Sequence, residues 1–144
     1  MRRGRGFALI LAVFLIVSLA AIGAYLVTVS NVQLETAVMD EQGARAYQAA
    51  RAGVEWGAYQ VLRNPGGAFA SACNGGSSSQ SFAVPGIASF RSTVGCTSPG
   101  AETEDGATVR TYRITATGCN SAVCPEPAPG STYVERQLQL IVAR

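Results

Sequence analysis

This chain of 144 residues has no lysine, no histidine and a single tryptophan. Without histidine the usual general base is missing, and so are Ser–His and Cys–His nucleophile pairs. Without lysine a phosphate-binding P-loop and a Ser-x-x-Lys nucleophile are excluded. No G-x-G-x-x-G run is present either. Carboxylates remain for acid–base work, but nothing in the sequence supports a carboxylate enzyme. We therefore expect no enzymatic activity and no cofactor.

Charge and proline are also scarce where they matter. The first acidic side chain is Glu35, no basic residue falls between Arg5 and Arg45, and the first proline is Pro65. Of the 11 arginines, three lie in residues 1–6; the other eight face nine Asp plus Glu, leaving −1. The net basicity belongs to one terminus, so it does not point to nucleic acid.

What fills the first third is apolar. Met1-Arg2-Arg3-Gly4-Arg5-Gly6 runs into an uncharged stretch, Phe7–Val29. As a helix those 23 residues span roughly 35 Å, enough for a hydrocarbon core of about 30 Å. The arginines before it predict a cytosolic N-terminus and an exported remainder. Cys73, Cys96, Cys119 and Cys124 would then all lie where disulfides persist. Two other readings stay open. Ser18-Leu19-Ala20 offers a signal-peptide cut, although the apolar run continues past it through Ile22, Tyr25, Leu26 and Val27. An uncleaved signal-anchor is the other.

No strong breaker precedes Asn64-Pro65-Gly66-Gly67, so one helix is expected from about Phe7 to Arg63. Gly23, Gly43, Gly53 and Gly57 lower its propensity locally, each by about 1 kcal/mol against Ala. Ala46, Ala50, Gly53 or Val54, Gly57 and Val61 make a narrow stripe of small residues at helical spacing. That stripe suits packing on the chain's own sheet or against neighbouring helices. Residues 64–81, rich in Gly and Ser, are expected to be loop. Beyond them apolar residues alternate: Phe90, Val94, Cys96; then Tyr112, Ile114, Ala116; then Val134, Leu138, Leu140, Val142, with Arg136 as an exception. Period two predicts half-buried antiparallel strands. Asp105-Gly106 is a turn signal between the first two, and 125–130, with three prolines, joins the last two.

Four cysteines allow three pairings. The local one, Cys73 with Cys96 and Cys119 with Cys124, closes loops without long crossings. Zinc would want CxxC-like spacing or histidine, which are missing. Glu102, Glu104 and Asp105 sit close enough to suggest calcium, but no loop-spacing motif accompanies them. Glu55 beside Trp56 reads as a surface residue paired with Arg51, four positions earlier.

The basic leader, the Gly6-Phe7 junction and the uncharged helix together resemble the N-terminus of type IV pilus minor pilins, those of MSHA (mannose-sensitive haemagglutinin) pilus biogenesis in particular. The resemblance rests on Arg5-Gly6-Phe7-Ala8-Leu9-Ile10, Leu19-Ala20-Ala21-Ile22-Gly23-Ala24 and the run from Gly43 to Gly57. It covers the first 60 or so residues; the remainder is alike only in general character. It implies an α+β pilin-like fold: cleaved leader 1–6, membrane and filament-core helix 7–29, amphipathic continuation 30–63, and a disulfide-stapled β-rich head 64–144. It also implies a prepilin peptidase cutting between Gly6 and Phe7 and methylating the Phe7 amine. The implied partners are major and other minor pilins and an assembly platform. The implied location is the bacterial inner membrane, with a periplasmic head, and then the pilus. Major pilins carry Glu at the position of Leu11, where it is thought to offset the N-terminal ammonium of a neighbouring subunit. A subunit lacking that carboxylate suits the tip, which has no subunit above it. Type II secretion minor pseudopilins share this logic, and an unprocessed single-pass envelope protein remains the alternative from another class.

Overall fold

The computed structural model describes Arg5–Arg144, with side chains from Ala8 onward; Met1–Gly4, which belong to the expected leader 1–6, lie outside it. The chain divides into two units, one up to Met39 and one from Asp40 to Arg144.

Every described residue of the first unit is helical. Helix α1 runs from Arg5 to Arg63 and ends in the second unit. Two hydroxyls at the end of the apolar part bond to the helix itself: Thr28 Oγ1 and Ser30 Oγ donate to the carbonyls of Ala24 (3.0 Å) and Leu26 (2.9 Å). That is how a hydroxyl avoids an unmet bond where water is scarce. α1 stops where Pro65 disfavours helical backbone at Asn64.

The second unit is α+β. It holds the end of α1, a short helix α2 (Ala68–Asn74) and strands β1 (Ser77–Ala83), β2 (Arg91–Thr97), β3 (Ala101–Glu104), β4 (Ala107–Cys119) and β5 (Glu135–Ala143). All pairings are antiparallel: β1 with β2, β2 with β4, and β4 also with β3 and β5. β3 continues β2 along one edge of β4. Thr97 pairs with Arg113 and Ala101 with Arg110, so four steps on one side oppose three on the other, a one-residue bulge. Pro99, which cannot donate to a ladder, and Gly100 at φ +123° sit in that interruption. Asp105 and Gly106, at φ +49° and +80°, close the hairpin in the left-handed backbone that a two-residue turn requires.

The loop expected over 64–81 is overturned in most of its length. Residues 68–74 are helical because Phe69, Ala70 and Cys73 are buried, and Phe69 meets Trp56 edge-on with centroids 4.8 Å apart. Gly75 and Gly76 close the helix and turn the chain into β1. β1 has the hydrophilic sequence Ser-Ser-Ser-Gln-Ser-Phe-Ala, and its backbone ladder to β2 holds it in the sheet. Two disulfides, Cys73–Cys96 and Cys119–Cys124, use all four cysteines. In the chain-entropy model the first, at a separation of 23 residues, contributes about 3 kcal/mol, and the second, at 5, about 2.

The core lies between the second half of α1 and one sheet face. On β4 the inward side chains taper: Tyr112, Ile114, Ala116, Gly118, all buried. The small-residue stripe of α1, Ala46, Ala50, Gly53, Gly57 and Val61, is buried too. The two tapers fit each other. A Cβ on Gly57 would stand 2.8 Å from Ile114 Cγ2, and one on Gly53 would stand 2.9 Å from Ala116 Cβ. At Gly118 the strand reaches the helix backbone itself, with Ala50 N at 2.5 Å from where a Cβ would be and Ala46 O closer still. The stripe therefore faces the chain's own sheet. Ser92 Oγ is buried against Gly53 with no hydrogen-bond partner. Phe90 and Val134, expected within strands, precede β2 and β5 and pack with Ala46 and Ala49 in a second cluster. Arg136, the exception in its alternation, lays its guanidinium over Gly43, with Nη2 at 3.1 Å from where a Gly43 Cβ would be.

The segment 120–134 joining β4 to β5 is irregular but pinned. Asn120 binds Thr132 O (2.8 Å) and receives Val134 N–H (2.9 Å), and Thr93 Oγ1 donates to Cys124 O (2.5 Å). Tyr133 donates to Glu135 (2.6 Å) and accepts Glu126 N–H (3.0 Å). Desolvation first, and the bond to Glu135 second, raise the Tyr133 phenol above its ordinary pKa.

Candidate membrane and assembly surface

Apolar side chains cover every side of α1 over residues 8–29. Leu9, Ile10, Val13, Phe14, Leu15, Ile16, Val17, Leu19, Ile22, Tyr25, Leu26 and Val27 are all exposed. A helix apolar all round is stable only in an apolar surrounding, a bilayer or a bundle of like helices. By length and composition α1 can cross a membrane once.

The residues singled out in the sequence fall as follows. Gly6 and Phe7 lie in the first turns of α1; nothing is described of the Phe7 side chain. Leu11 is half exposed on the apolar surface, and the nearest carboxylate along the helix is Glu35. In the second unit, the side of α1 away from the sheet carries Tyr47, Arg51, Glu55 and Tyr59 at four-residue spacing, all exposed. Arg51 Nε donates to Glu55 at 2.9 Å, which raises the Arg51 pKa further, and Arg45 pairs with Glu41 at 2.5 Å. These are solvated pairs along one helix face, and such pairs contribute little.

Glu102 and Glu104 stand exposed on β3 and Asp105 forms the turn after it; no group of three metal-ligating residues occurs among the described residues. Gly118, Gly43 under Arg136, and the pins Asn120 and Tyr133 were not anticipated. The taper Tyr112, Ile114, Ala116, Gly118 was a readable signal for the first of these. The others depend on contacts between residues far apart in sequence. No family model, curated protein or solved structure matches the chain.

Proposed function

We propose that this chain is a minor pilin acting in type IV pilus biogenesis, most similar to biogenesis protein P of the MSHA pilus, and that it works by assembly. One observation carries the reading. A single continuous helix supplies both an apolar segment exposed on every side and the small-residue strip that packs under an antiparallel sheet. The first part would anchor the precursor in the inner membrane and later pack among pilin helices, and the head would meet other minor pilins. The basic leader and the Gly6-Phe7 junction supply the substrate for a prepilin peptidase.

Leu11 favours a place at the tip or in initiation. A subunit with no carboxylate at that position cannot neutralise a buried ammonium above it. The same feature is shared by type II secretion minor pseudopilins, so genomic neighbours, pilin or secretion genes, separate the two. Restoring the carboxylate with Leu11→Glu should spread the protein along the shaft; an unchanged subunit count per pilus would refute the tip.

The deciding experiment is the intact mass of the protein from native cells, with and without the peptidase. A chain beginning at Phe7, heavier by one methyl group and lost without the enzyme, is the expected result. A chain beginning at Met1 would sink the filament reading and leave a single-pass envelope protein.

A further inference from the structure

Beyond Tyr112 the inward face of β4 leaves the hydrophobic core and becomes cationic. Thr108, Arg110 and Tyr112 alternate onto one face. Directly opposite Arg110 stands Arg144, which exchanges both backbone hydrogen bonds with it: Arg110 N–H to Arg144 O at 2.7 Å and Arg144 N–H to Arg110 O at 3.0 Å. Residues paired in this way hold their side chains side by side. A cleft of 310 Å³ is lined by Asn74, Thr108, Arg110, Tyr112 and Arg144.

Two guanidiniums facing each other across a ladder repel, and such pairs destabilise a sheet unless something neutralises them. Among the described residues no Asp or Glu side chain pairs with either guanidinium. The ion pairs among the described residues are Arg45 with Glu41 and Arg51 with Glu55. Arg110 gives one N–H to Asn74 O at 3.1 Å, tying β4 to the end of α2, and Tyr112 Oη donates to Asn74 Oδ1 at 2.7 Å. A guanidinium has five N–H donors, so most of those on the two arginines stay available. The Thr108 hydroxyl adds another.

We propose that this cleft binds an oxyanion, a phosphate or carboxylate group, held between Arg110 and Arg144. A group with two or more acceptor oxygens matches the planar donor fork of each arginine and removes their mutual repulsion. Asn74 fixes Arg110 in place, and exposed Arg144 closes on the ligand from the other side.

The test uses the full chain in uncharged maltoside micelles, titrated by calorimetry with inorganic phosphate, with acetate, and with sodium chloride at matched ionic strength. At least one oxyanion should bind saturably and chloride should not. Arg144→Gln should weaken binding about tenfold, the scale of one charge-assisted hydrogen bond at a partly exposed site. Arg113→Gln removes the same charge from the opposite face of β4 and should leave binding unchanged. Phosphate alone would point to a phosphorylated ligand, and acetate as well to a carboxylate such as an acidic sugar. No saturable binding, an equal response to chloride, or an equal loss in Arg113→Gln would overturn the proposal.

Discussion

Adding one methyl group at Gly118 should be among the most damaging small changes this chain can suffer. The Cβ of Gly118→Ala would stand 2.5 Å from Ala50 N, 2.9 Å from Ala49 Cβ, and closer still to Ala46 O. Ordinary contact needs about 3.4 Å or more, and two of those atoms are helix backbone, which cannot rotate away. The helix must lift from the strand by roughly 1 Å at this end. Overpacking of this kind costs about 1–3 kcal/mol, and rigid partners place it at the upper end. Lower chain entropy in the unfolded state returns about 0.4–1 kcal/mol, leaving a net loss of about 2 kcal/mol. For a unit of this size that lowers Tm by roughly 10 °C. Gly95→Ala on neighbouring β2 is the matched control. Its Cβ would meet only Thr115 O, at 3.8 Å, so the entropy gain should make it neutral or slightly stabilising. Denaturant unfolding of both variants can be followed by Trp56 fluorescence, since Trp56 is the only tryptophan and packs against Phe69 and Phe82. Equal stabilities within 0.5 kcal/mol, a margin near the reliability of such measurements, would refute the packing of α1 on β4.

The remaining expectations concern two polar groups, buried Ser92 and half-buried Tyr133. Ser92→Ala should stabilise the head by up to about 1 kcal/mol, because its hydroxyl is desolvated without a partner; a loss of stability in the same unfolding assay would mean that the hydroxyl is bonded after all. Tyr133 has its pKa raised in the folded state, so its contribution to stability is complete below the ordinary phenol value near 10 and is lost as pH rises through the higher folded value. Tyr133→Phe should therefore remove a late contribution from the alkaline difference spectrum, and an unchanged titration in that variant would reject the assignment.

Much of the fold could be read directly from residue order. The helix α1 was legible because uncharged residues without proline extend far beyond any strand. The strand faces around Val94, Ile114 and Leu140 were legible because burial on one side of a sheet imposes period two. The Asp105-Gly106 turn was legible because few residues accept positive φ. The proposed leader stands on sequence alone, since Met1–Gly4 lie outside the described residues.

Tertiary contact decided the rest. Three alanines favour helix over 68–74, but so short a helix needs support, which Trp56, Phe69 and the bridge to Cys96 supply from three separate segments. β1 is a strand because β2 offers it a ladder, which a polar Ser-rich sequence cannot announce through hydrophobic periodicity. The small-residue stripe of α1 was compatible with two neighbours, its own sheet or another helix. The sheet won because β4 narrows from Tyr112 to Gly118 in step with it. The pairing of Arg110 with Arg144 needed the register of β4 and β5, which bulges and loop lengths set and composition does not. Residue order was enough to say which parts are apolar and which extended. The folded chain alone decided which surfaces meet, because contact depends on shape complementarity between residues that the order of the chain keeps apart.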